Sequence, residues 1–148
     1  MLAQRCESKH RNLKRIACFF IAIVAVSAGA AATGKSENEA RKSAEQWLSL
    51  VDAGEFGQSW DTAGAYLQHA CTKDVWLRKL DSTRKPLGEL RSRKVKSSLF
   101  QKHDQYFLAD RVRLEFSSSF TNKPTAVETA TIGLEKDGTW RVVGYYIK

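Results

Sequence analysis

The hydrophobic period of this chain changes once, at Pro86-Leu87-Gly88, and that change restricts the folds open to it. Before it, apolar residues recur at helical spacing. Ala40, Ala44, Trp47, Leu48 and Val51 form one stripe, introduced by the capping box Ser36-Glu-Asn-Glu39 and stopped by Gly54. A second helical segment over 55–68 carries Phe56, Trp60, Ala63 and Leu67 on one side, and Gly57 and Gly64 make a break or two short helices compatible with it. Thr72 caps a third helix with Val75, Trp76 and Leu80 facing inward, which Pro86 ends. Beyond Gly88 the period is two, and strands are expected over 90–101, 106–120, 126–135 and 139–148. Turns are expected at Thr121–Pro124 and Lys136–Gly138. The reading is α+β, with three N-terminal helices packed on a four-stranded antiparallel sheet as a single domain over residues 33–148.

Residues 1–32 read as a secretory signal peptide. Arg5, Lys9, Arg11, Lys14 and Arg15 precede the apolar run Ile16–Val26, which is followed by Ser27-Ala-Gly-Ala-Ala-Ala32 with cleavage expected after Ala30 or Ala32. An uncleaved signal anchor is the competing reading, and both place the domain in the periplasm or outside the cell. Cleavage removes five bases and one acid, so that a net charge of +8 becomes 19 bases against 15 acids, or +4. Half of the basicity is then targeting information, which removes most of the case for a nucleic-acid partner. Cys6 and Cys18 leave as well, and the remaining Cys71 reads as a small buried apolar residue that cannot form an intramolecular disulfide.

His69, His103 and Cys71 are not spaced as metal ligands, so no metal and no cofactor is expected. No nucleophile elbow and no glycine-rich phosphate loop is present. Arg91-Ser-Arg-Lys-Val-Lys96 reads as an exposed, charge-protected first strand, with a weak site for anionic envelope material as the functional alternative.

Glu128 shares strand parity with Ala130, Ile132 and Leu134, which puts a carboxylate in line with apolar residues. A type I turn with a glycine bulge at Lys136-Asp137-Gly138 pairs Leu134 with Trp140, Ile132 with Val142, Ala130 with Gly144 and Glu128 with Tyr146. A two-residue turn would pair Glu128 with Ile147 instead. Glu128 and Tyr146, with Asp110 on the parity of Val112 and Leu114, are the catalytic candidates for acid–base work. The stronger reading pairs Glu128 with Arg113 or another base across the sheet. Trp47, Trp60, Trp76, Tyr66, Phe116 and Trp140 read mostly as core, and Tyr145 and Ile147 fall on the outer sheet face, where they would suit a homodimer.

Several fragments resemble the bacterial domain of unknown function 4019 family. They are Ala44-Glu-Gln-Trp-Leu48, Val51-Asp-Ala-Gly54, Arg84-Lys-Pro-Leu-Gly88, Ser92-Arg93, Ala126-Val-Glu-Thr129 and Asp137-Gly-Thr-Trp-Arg-Val-Val-Gly-Tyr145. The resemblance implies a cone-shaped fold similar to nuclear transport factor two and the cystatin-like superfamily, and it implies export. It brings no activity and no catalytic residues. The expected function is non-catalytic binding of an unknown small molecule or envelope protein. A small acid–base enzyme and a signal-anchored accessory domain are the alternatives. Contact with a membrane is expected only if the signal is uncleaved.

Overall fold

The structure, a computed structural model, describes residues 27–103 and 108–148, with side chains from residue 33 onward. The signal segment expected over 1–32 lies largely outside the described residues, as does the strand start expected at residue 106. Helix α1 spans Ser27–Asp52, α2 Phe56–Asp61, α3 Ala65–Ala70 and α4 Lys73–Thr83. A single 3-10 turn, Lys85–Leu87, leads into strands β1 Leu90–Gln101, β2 Arg111–Phe120, β3 Ala126–Leu134 and β4 Trp140–Ile147. The strands form one antiparallel meander in the order β1-β2-β3-β4, and the helices pack on one of its faces.

Helix α1 differs from expectation at its start. Ser36 lies inside it rather than capping it, because Ala30 to Ala32 are strong helix formers and carry the helix back to Ser27. Lys35 and Glu39 then meet at 3.9 Å as an i,i+4 pair. The stop is as read, with Gly54 at φ 76°. The second segment is two short helices, broken where the Gly64 N–H bonds to the Val142 carbonyl at 2.8 Å and docks the chain on β4. The Thr72 hydroxyl caps α4 by accepting from the Val75 N–H at 3.4 Å. Trp76 and Leu80 are buried, but Val75 is 44% exposed.

The core lies between α1 and the sheet. Ala40, Ala44, Trp47, Leu48 and Val51 of α1 meet Val112, Leu114, Phe116, Ala130, Ile132, Val142 and Tyr145. Trp47 and Trp76 converge on Ser59, Trp47 donating to its carbonyl at 2.7 Å and Trp76 to its hydroxyl at 3.0 Å. Each indole therefore buries its ring with its N–H satisfied. Tyr66, expected in the core, is 74% exposed on α3.

The β3–β4 register corrects the sequence reading at the position that matters most. Leu134 pairs with Trp140 and Ile132 with Val142, as the glycine-bulge turn requires. A shift between Thr131 and Ile132 then places Thr131 opposite Gly144, Ala130 opposite Tyr145, Thr129 opposite Tyr146 and Glu128 opposite Ile147. One extra residue on β4 reverses the side-chain parity beyond it. Tyr145 becomes a core residue, Ile147 packs against the core, and Tyr146 is 39% exposed. Val143 occupies the bulge beside Gly64 and Gly133, neither of which has a Cβ to compete with it.

Candidate functional site: a buried charge network

Glu128 has no solvent exposure. Its Oε1 accepts from Arg93 Nη2 at 2.9 Å and from the Tyr145 hydroxyl at 2.6 Å. Its Oε2 accepts from Arg93 Nε at 2.7 Å and from the Ser118 hydroxyl. A carboxylate has about four acceptor positions, and all of them are taken. Register explains the meeting: Arg93 of β1 lies opposite Ser118, and Glu128 of β3 lies opposite Phe116, two residues along the same inner face of β2.

Arg93 then bridges to the end of α1, with Nη1 at 2.7 Å from Asp52 Oδ2 and Nη2 at 3.0 Å from Oδ1. Arg84 joins from the C-terminal end of α4, donating from Nη2 to Asp52 at 3.1 Å and from Nη1 to the Gly88 carbonyl at 2.7 Å. Its guanidinium also lies 4.4 Å from the centre of the Phe120 ring. Two guanidinium groups and two carboxylates are thus held together with formally balanced charge. Burial opposes the charge on Arg93, but its hydrogen bonds to Asp52 and Glu128 outweigh that and raise its pKa above the ordinary arginine value. Burial, reinforced by the charge of Glu128, pushes the Tyr145 phenol far above its usual range, so Tyr145 is a fixed donor.

The sequence candidates are dispersed. Tyr146 faces away from Glu128, its hydroxyl 3.4 Å from Arg113 Nη2 on the outer sheet face. Asp110 precedes β2 at the Leu134 end of the sheet, where its carboxylate accepts from the His103 backbone N–H and ring Nδ1, both at 2.8 Å. Those bonds, the backbone one first, hold Asp110 below the usual carboxylate range. Arg113 pairs with Glu115 at 3.0 Å rather than with Glu128. Tyr145 and Ile147 lie on the core side, so they do not form the outer apolar face expected for a homodimer.

Local periodicity does not mark Asp52, Arg84, Arg93, Ser118 and Tyr145 as site residues, although the sequence carries a signal for most of them. The fragments Val51–Gly54, Arg84–Gly88, Ser92-Arg93, Ala126–Thr129 and Asp137–Tyr145 contribute Asp52, Arg84, Arg93, Glu128 and Tyr145 respectively.

Residues 43–145 match the family described as "Protein of unknown function (DUF4019)". The chain belongs to this family. No curated protein matches it. A solved structure from Catenulispora acidiphila is similar at 11% identity with a TM-score of 0.53, covering 79% of this chain and 93% of that one. At that identity the likeness concerns the fold alone. Among the described residues, no group of three or more His, Cys, Asp and Glu is arranged to hold a metal ion. No helix among them is long and apolar enough to cross a membrane.

Proposed function

We propose that this DUF4019 chain is an exported, non-catalytic domain that binds a ligand or envelope partner through its surface, with the Glu128 network serving as the internal brace. The observation that carries this reading is the full occupancy of Glu128. A general base needs a free lone pair and access to substrate. Glu128 has neither, since four donors fill its oxygens and no solvent reaches it. Tyr145, one of those donors, is itself held in the core, its ring meeting that of Trp47 edge-on at 5.4 Å. Export is supported by the order of charge, apolar run and small residues over 1–32. The cone-shaped, cystatin-like description is supported by the helices lying on one face of the antiparallel meander.

Replacement of Glu128 by Gln tests the internal role. It leaves the half-buried Arg93 with one carboxylate fewer, and the expected loss is about 3–5 kcal/mol. A variant that melts with the parent would return Glu128 to the catalytic candidates. The mass of the exported protein tests the other half: an N-terminus at residue 31 or 33 is expected, and an intact Met1 would contradict cleavage.

A further inference from the structure

We infer that the outer face of the sheet docks on an anionic phospholipid bilayer. The face opposite the helices is a grid set by the strand registers. One row runs Lys94, Ser117, Val127 and, through paired backbone bonds to Val127, Lys148. The next runs Ser97, Glu115, Thr129, Tyr146, and the third Leu99, Arg113, Thr131, Gly144. Lys96, at a bulge in β1, reaches onto this face with its Nζ 4.0 Å from Glu115. Lys148 does the same from the other side, its Nζ 5.4 Å from the Tyr146 ring centre.

In these three rows Lys94, Lys96, Arg113 and Lys148 against Glu115 give +3, and the adjoining row adds Arg111 and an Arg141 paired with Asp137, while residues 33–148 as a whole carry only +4. The excess charge is therefore concentrated on one side of the domain. A second copy presenting the same face would meet it with like charge, so a symmetric dimer through it is disfavoured. The depression there, lined by Ser97, Leu99, Arg113 and Glu115, has a volume of about 190 Å³, below the range of about 300–1,000 Å³ that encloses a small ligand. The face suits a broad anionic surface better than an enclosed molecule.

Two further features select a bilayer among anionic surfaces. Leu99 is 54% exposed and Tyr146 39%, so an aliphatic side chain and an amphipathic phenol stand among the bases, as interfacial binding requires. A single-stranded nucleic acid would need a series of aromatic platforms, and Tyr146 is the one aromatic in these rows. Such docking needs no uncleaved apolar segment. It rests on the export reading only for which bilayer the domain meets.

The test is co-sedimentation of the purified full chain with phosphatidylglycerol-containing and pure phosphatidylcholine vesicles at low salt. Its partner is the variant Lys94→Gln, Lys96→Gln, Lys148→Gln, whose three side chains are solvated. Each base near an anionic bilayer contributes about fivefold in partitioning, so the anionic-to-neutral ratio should fall about a hundredfold in the variant while its melting is unchanged. The apolar and basic residues of 1–32 contribute equally to both proteins and cancel. An unchanged ratio in the variant, or no preference for anionic vesicles in the parent, overturns the inference. So does tighter binding to duplex DNA or heparin with the same lysine dependence, or lysine-dependent self-association. Failure here leaves the N-terminal mass and the Glu128→Gln result untouched, so it is distinguishable from failure of the export and brace readings.

Discussion

At the scale of single residues, Tyr145 reports on the network most cleanly. Its phenol is desolvated and faces the Glu128 carboxylate, so its folded pKa lies above the ordinary value of about 10. The folded state then keeps a proton that the unfolded state releases. Stability contributed by this group is complete below pH ~10 and is lost as pH rises further. Tyrosinate absorbance followed together with circular dichroism should show Tyr145, of the chain's four tyrosines, ionising only as the chain unfolds. Ionisation of all four with the native spectrum intact would place Tyr145 in contact with water. The acidic side behaves oppositely. His103 bonds hold Asp110 low, and Arg141 followed by Thr139 holds Asp137 low. Both carboxylates favour the folded state above pH ~4, and their contribution is lost as pH falls through their depressed values. Asp110→Asn should therefore flatten the fall in melting temperature below pH ~4; an unchanged profile would remove Asp110 from this role.

At the scale of elements, the β4 bulge and the α2–α3 junction act as one device. A Cβ on Gly64 would meet Val143 Cγ1 at 2.7 Å and also collide with the Glu135 carboxylate, which accepts from the Ala65 N–H at 2.9 Å. Gly64→Ala should cost about 1–3 kcal/mol by urea unfolding. A neutral result would mean that the junction can move away from β4, and the bulge would need another cause. This device also shows where the sequence stops being legible. Helical and alternating periods identify each element because they are local, and the turn at Lys136–Gly138 sets the first two pairs of the β3–β4 register correctly. The bulge arises from contact between segments some 80 residues apart, Gly64 and Val143. No local period encodes such a contact, so turn geometry alone sets Tyr146 opposite Glu128, where the structure has Ile147 opposite it and the Tyr145 hydroxyl bonded to it. The α1 start departs from the local pattern for a related reason. A capping box competes with the helix propensity of the alanines before it, and here propensity prevails.

At the scale of the molecule, the Glu128 network ties the last residue of α1 and the C-terminal end of α4 to β1, β2, β3 and β4. Strand parity alone placed Glu128 on the inner face, and the base that neutralises it comes from the run read as an exposed basic edge. Arg93 turns inward because β1 carries a bulge before Ser92 and then pairs Arg93 with Ser118 on the core side. The arginine is thereby withdrawn from the surface charge, and the remaining excess lies on the outer face. An interior fastened by fixed counter-charges and an exterior with one basic side are what the proposal of a domain working by its surface rests on.

The double-mutant cycle on Arg93→Met and Glu128→Leu, measured by urea unfolding, tests this most directly. Each single change should cost about 3–5 kcal/mol because it strands a buried charge, while the double variant should recover much of that loss, with a coupling of about 2 kcal/mol or more. Single variants within about 0.5 kcal/mol of the parent, with no coupling between them, would contradict the account and show that Glu128 is held for something other than the fold.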